Sequence, residues 1–183
     1  MLSNDDRNQL KEIAFSSIKN GIENGQALIV NPLDYSKALQ EKRSTFVTLK
    51  IFHQLRGCIG TLEAHKPLCV DVSENAYSAA FSDPRFPCLR SEELNNVKIS
   101  ISVLSIPEAI SFSSEKDLLN KIKVGIDGLT LEEGHHRGTF LPAVWESVSS
   151  PEEFLNELKQ KASLPKDYWS ETLKISRYTT ESF

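Results

Sequence analysis

The stretch FHQLRGCIGTL, residues 52–62, places Arg56 two residues from Cys58 and brackets the thiol with Gly57 and Gly60. On an extended strand, residues two apart share a face and lie roughly 6–7 Å apart. A cation at that range favours thiolate and lowers a cysteine pKa from its usual value of roughly 8.5. Glycine weakens a strand interior, and where it is kept it often marks a bulge or a close approach of another group to the backbone. Gly60 falls on the face of Cys58, so on this reading no side chain shields the thiol there. The chemistry this suggests is nucleophilic or redox work by Cys58 tuned by Arg56, with Gly57 and Gly60 clearing space for a ligand or partner. A second reading stays open. Cysteine is among the most buried residue types and behaves as a small hydrophobe, and Arg56 would then pair with Glu74 or Asp83 to tie a hairpin to a helix.

Other residues that carry chemistry lie downstream. The segment SDPRF holds Asp83 and Arg85 on a proline-fixed turn, and loops held rigid by a scaffold are frequent functional positions. Glu74 sits on the polar side of a helix, and Arg137 joins the same cleft as Arg56 if two hairpins meet. His53 and His65 flank the cysteine strand without catalytic spacing and read as surface residues. His135 and His136 are adjacent, so on a strand they point to opposite faces and do not share one ion. No HxxxH, HExxH or paired-cysteine pattern accompanies them, and no phosphate loop or dinucleotide fingerprint occurs. Neither a metal nor a cofactor is expected.

The elements that must position these residues are readable in outline. Ser3 and Asp6 open a capped helix with Leu10, Ile13, Ala14, Ile18 and Ile22 on one face and Gly25 as its stop. STFVTLKIF alternates, with Val47, Leu49 and Ile51 on its apolar side; LRGCIGTL returns as a hairpin partner after a turn at His53 and Gln54. Pro67 starts a helix with the narrow stripe Leu68, Val72, Ala76, Ala79 and Ala80, able to lie close to a sheet. VKISISVLS is an alternating strand, DGLTLEEGHHRGTFL a second hairpin turning near Gly134, and Ser150, Pro151 and Glu153 announce another helix. TLKISRYT is the last strand. Mixed helices and hairpins make the class α+β: mainly antiparallel sheets with helices packed on them, in one domain of two intimately packed subdomains. The smaller would span about 42–104 and the larger 1–41 plus 105–183.

Composition excludes some functions. The formal net charge of −4 over 183 residues argues against an electrostatic nucleic-acid binder, which needs a basic surface. No apolar run approaches the roughly 20 residues that span a bilayer. The N-terminus is acidic and polar where a signal peptide would be basic and then apolar, and three unpaired cysteines fit a reducing compartment. A soluble, cytoplasmic chain is expected.

The segments TFVTLK, LRGCIGTLE, ENAYSAAFSDPRFP, SVLS, GIDGLTLEEGHHRGTFLPAVWE and RYTTESF follow in an order that resembles the AMMECR domain family, whose bacterial and archaeal members are called AmmeMemoRadiSam system protein A. LRGCIG followed by DPRF is the most specific part, and the resemblance covers nearly the whole chain. It implies a two-part α+β fold and, in prokaryotes, association with a Memo-like protein and a radical-SAM protein. It supplies no activity. Many relatives read RRGTFLPQVWE, whereas this chain has Ala143 for the glutamine and His136 for an arginine. Two function classes follow: a subunit of a small enzyme system with a ligand or partner site around the LRGCIG strand and DPRF loop, or a non-catalytic interaction module. A stand-alone thiol-dependent enzyme using Cys58 is the further alternative.

Overall fold

The structure is a computed structural model, and it describes residues 2–183. In chain order the elements are α1 (Asn4–Asn24), α2 (Lys37–Gln40), β1 (Thr45–Ile51), β2 (Gln54–Gly60), α3 (Leu68–Phe81), β3 (Lys98–Leu104), β4 (Glu108–Ala109), α4 (Glu115–Lys121), β5 (Gly128–Glu133), β6 (His136–Phe140), α5 (Pro151–Lys161), β7 (Lys174–Tyr178) and β8 (Thr180–Ser182). They form two four-stranded sheets, of order β2-β1-β3-β8 and β4-β7-β5-β6. The class is α+β, as the mixed pattern of the sequence predicts.

The chain divides into two units, one running up to Leu104 with Glu181–Phe183 added, the other Ser105–Thr180. The first helix therefore belongs with the block 42–104 and not, as the sequence suggested, with residues 105–183. The reason is packing. Leu10, Ile13, Ala14 and Ile18 of α1 share one apolar core with Val72, Ala76 and Ala79 of α3 and with Val47, Leu49 and Ile101 of the first sheet.

In the first unit the local signals act as expected. Ser3 caps α1 by accepting the Asp6 N–H at 3.0 Å, the Asp6 carboxylate takes the Ser3 N–H in return, and Gly25 ends the helix in the left-handed region at φ 72°. Leu68, Val72, Ala76, Ala79 and Ala80 of α3 are all buried. Their small size lets α3 lie against β1 and β2. A buried acid fixes its first turn: Asp71 accepts from the Thr45 backbone N–H at 2.9 Å, the Thr45 hydroxyl at 2.6 Å, Thr61 at 2.8 Å and Asn75 at 3.0 Å. Burial pushes the Asp71 carboxyl above its ordinary value.

The second unit has its own core, built from Leu129, Leu131 and Ile175 of the sheet and Phe154, Leu155 and Leu158 of α5. Ser150 accepts the Glu153 N–H at 3.1 Å and Pro151 takes the first helical position, the start its sequence announced. The β5–β6 hairpin turns at Gly134, whose φ is 56°. Among the described residues no helix is long and apolar enough to cross a membrane.

Candidate functional site

Strand β2 carries the motif LRGCIG, and its pairing with β1 decides what each residue faces. Val47 opposes Ile59, Thr48 opposes Cys58 and Leu49 opposes Gly57. The register then shifts, so that Lys50 opposes Leu55 and Arg56 is the extra residue of a β-bulge. A bulge re-aims a side chain and breaks strict alternation. Arg56 consequently does not share a simple outward face with Cys58. Its guanidinium runs to the segment after α3, donating from Nε and Nη2 to the two carboxylate oxygens of Glu93 at 2.8 and 3.0 Å, from Nη1 to the Pro87 carbonyl at 2.9 Å and from Nη2 to the Cys88 carbonyl at 3.3 Å. The side chain is 12% exposed. The expectation that Asp83 or Glu74 would hold Arg56 is thus corrected: the acid is Glu93. Its hydrogen bonds with Arg56 hold the Glu93 carboxyl below the ordinary glutamate range, and the same bonds raise Arg56.

Cys58 is half-buried. Its Sγ lies 3.2 Å from the Thr48 hydroxyl, its cross-strand neighbour, and Ser100 opposes Thr48 from β3. Cys58, Thr48 and Ser100 form one row across three strands, on the face opposite the buried Val47, Leu49 and Ile101. The backbone of Cys58 is held on both sides by the DPRF loop. Asp83 accepts the Cys58 N–H at 2.9 Å, and Arg85 donates from Nη2 to the Cys58 carbonyl at 3.2 Å. Asp83 also accepts from the Arg85 N–H at 3.1 Å, from Nε at 2.9 Å and from Nη2 at 2.7 Å. Asp83 is 2% exposed at its side chain and Arg85 55%. The Arg85 guanidinium, aided by the two backbone N–H donors, keeps the Asp83 carboxyl well below the usual carboxylate range. Asp83, Arg85 and Cys58 are therefore brought together, as the return of a closely packed helix implied.

The glycines have a different role from the one their positions suggested. A Cβ on Gly57 would sit 2.0 Å from the Ala79 carbonyl oxygen, so this glycine admits the backbone of α3. A Cβ on Gly60 would meet the Phe46 ring at 2.3 Å and the Thr45 carbonyl at 2.4 Å. The space above Gly60 is filled by its own cross-strand partner Phe46, and it is not open ground beside the thiol.

The remaining candidates have partners or places of their own. Glu74 pairs with Lys66 at the surface. His65 is exposed and bonded to Glu63 at 2.7 Å. His53 sits in the β1–β2 turn, which comprises Phe52 and His53, one residue earlier than the spacing suggested. His135 is in the β5–β6 turn, and His136 donates from Nδ1 to the Ala162 carbonyl at 3.0 Å. Arg137 belongs to the second unit, where it pairs with Glu132 of its own hairpin at 3.3 Å. Among the described residues no group of three His, Cys, Asp or Glu is arranged to hold a metal. Glu93, Thr48 and Phe46 are contributors the sequence reading missed. Counting register back from the turn would have put Val47 opposite Cys58 and Thr45 opposite Gly60, because the bulge at Arg56 shifts the ladder by one residue; nothing in the spacing announces Glu93, 37 residues beyond Arg56.

Comparison with known proteins agrees with this architecture. The AMMECR1 family model matches residues 11–183. Protein MJ0810 of Methanocaldococcus jannaschii is 40% identical over 163 residues, covering 87% of this chain and 80% of that protein. A protein of Methanothermobacter thermautotrophicus is 37% identical, covering 100% of this chain and 95% of its own. The crystal structure of the uncharacterized protein PH0010 from Pyrococcus horikoshii superposes with a TM-score of 0.80 at 38% identity, over 94% of this chain and 88% of that one.

Proposed function

The chain belongs to the AMMECR1 family, and from that premise we propose that it is a binding subunit of a small enzyme system. It takes its ligand or partner on the sheet face around Cys58, Thr48 and Arg85. The observation that carries this reading is Asp83. One buried carboxylate holds both the Cys58 N–H and the Arg85 guanidinium, so a half-buried thiol on β2 and a largely exposed cation on the DPRF loop are tied to each other. Rigid first contacts held by a second set of hydrogen bonds are how binding sites are pre-organised. Arg56 acts from behind, as a positioning residue: Nε, Nη1 and Nη2 each hold the 87–93 segment. Gly57 and Gly60 serve the packing beneath.

The partners this reading names are a Memo-like protein and a radical-SAM protein, and its compartment is the cytoplasm. A stand-alone thiol enzyme is the second reading, favoured by the Thr48 hydroxyl at 3.2 Å from Sγ. Capture on immobilised protein separates the two. The Memo-like and radical-SAM proteins of the same organism should be retained by the wild type. Retention should fall with Arg85→Ala and with the Cys58 thiol alkylated. Retention unchanged by both modifications would remove this face from the interaction. Thiol-dependent turnover by the chain alone, lost in Cys58→Ser, would decide for the enzyme.

A further inference from the structure

Away from Cys58, the turn end of the β1–β2 hairpin carries three local costs. Phe52 and His53 both have positive φ, 49° and 66°. A two-residue hairpin turn of this kind normally takes Asn or Gly, because a Cβ is strained there, and a bulky residue with positive φ is an outlier. Phe52 is also 79% exposed. Thirdly, Lys50 lies directly opposite Lys98 in the β1–β3 register, and both are exposed. Like charges directly opposite on neighbouring strands repel. Beside the turn is a depression of about 330 Å³ lined by Phe52, His53, Asn95, Asn96, Val97 and Lys98. No carboxylate lines it, in a chain whose net charge is −4.

We propose that this depression is a binding site for a small organic anion, a carboxylate or phosphate carried on a planar aromatic group. Lys98 on its wall, with Lys50 opposite it, supplies positive charge. Asn95 and Asn96 carry amide donors on its wall, and Phe52 offers a flat apolar face. The volume is at the low end of small-molecule sites, roughly 300–1,000 Å³, which suits one ring with one anionic group. Backbone strain of this sort gathers at ligand clamps. The Lys50–Lys98 pair is the next row toward the turn from Thr48 and Ser100 on the same sheet face, and the proposal does not rest on the function proposed for Cys58.

The test is amide chemical-shift titration of the labelled full chain with benzoate and with phenyl phosphate, and with inorganic phosphate and benzyl alcohol as the isolated halves. Saturable shifts are expected at Phe52, His53, Asn96, Val97 and Lys98 with at least one aromatic anion, and the tighter of the two identifies the anionic group. Lys98→Ala, at an exposed position that should fold, should weaken binding about tenfold. Phe52→Gly should weaken it similarly while raising the thermal midpoint, because the left-handed backbone no longer carries a Cβ; an effect through misfolding would lower both. Arg85→Ala should leave it unchanged. Absence of saturable shifts with both aromatic anions would overturn the proposal. So would equal binding of inorganic phosphate alone, or indifference to Lys98→Ala.

Discussion

Replacing Gly57 by alanine adds one methyl group, and the structure predicts a large effect from it. The new Cβ would lie 2.0 Å from the Ala79 carbonyl oxygen and 3.0 Å from its carbon. An ordinary contact begins at 3.4 Å, so the separation must grow by about 1.4 Å before repulsion gives way to attraction. The obstructing atom is backbone in the last turns of α3, and no rotamer change moves it. Either β2 leaves its register with β1 or α3 lifts from the sheet, loosening Val72, Ala76 and Ala79, which are at most 1% exposed. Overpacking of this kind costs typically 1–3 kcal/mol and occasionally more, and about 3 kcal/mol is expected here. In a chain of this length that lowers the melting temperature by roughly 6–12 °C. Without the clash the sign would be opposite, since Gly→Ala at a compatible position stabilises by about 0.4–1 kcal/mol through the unfolded state. Both tryptophans, Trp145 and Trp169, lie in the second unit, so urea unfolding should be followed by far-UV circular dichroism. Ala79→Gly should give no rescue, because the blocking atom is the carbonyl oxygen. A Gly57→Ala midpoint within about 0.5 kcal/mol of wild type, or full rescue by Ala79→Gly, would refute this account of the glycine.

Glu93→Gln should expose the pH dependence of the Arg56 clamp. The folded carboxyl lies below its ordinary value of 4.5, so its contribution is present above that value and is lost as pH falls through the folded pKa. Thermal melts of both proteins should differ at pH 7, and the gap should close in acid; a gap that widens in acid would contradict the assignment. His53→Gly should stabilise the first unit by about 1 kcal/mol, by relieving a side chain at φ 66°, and the urea midpoint reads it. Alkylation followed by mass spectrometry should modify exposed Cys88 first, half-buried Cys58 more slowly and Cys69, which is 0% exposed, only on unfolding. Burial also pushes the Cys69 thiol up, so rapid labelling of that residue in the native protein would contradict its place in the core.

Most of the secondary structure is legible because it is written in local periodicity and caps. Ser3 with Asp6, the apolar stripe of α3 and the alternation of β1 each act within a few residues, and each appears where its pattern puts it. What is not local is not legible. The apolar face of α1 would suit any hydrophobic partner, and only the finished core assigns it to α3. The segment TLKISRYT reads as one last strand, yet the structure ends β7 at Tyr178 in the second sheet and begins β8 at Thr180 in the first. A single residue, Thr179, separates strands of different sheets, and no breaker marks it.

The site was half legible for the same reason. Proline fixes the DPRF turn, and the small residues of α3 bring it back to the Cys58 strand; both are local facts with a long-range consequence, and Asp83 and Arg85 do reach Cys58. The alternation used to aim Arg56 fails at the bulge between Leu49 and Lys50, which adds one residue and redirects the side chain to Glu93. The glycines mislead in a more general way. A missing side chain reads alike in sequence whether a ligand, a neighbouring ring or the protein's own backbone takes the space. Here the Ala79 carbonyl takes it at Gly57 and the Phe46 ring at Gly60. The motif LRGCIG is thus largely accounted for by what it packs against: α3 at Gly57, Phe46 at Gly60, Glu93 and two carbonyls at Arg56. Packing does not account for a half-buried thiol facing a hydroxyl, nor for a guanidinium that stays 55% exposed while a buried carboxylate holds it to the same strand. The binding proposed for this face therefore rests on Cys58 and Arg85, with Asp83 bonded to both.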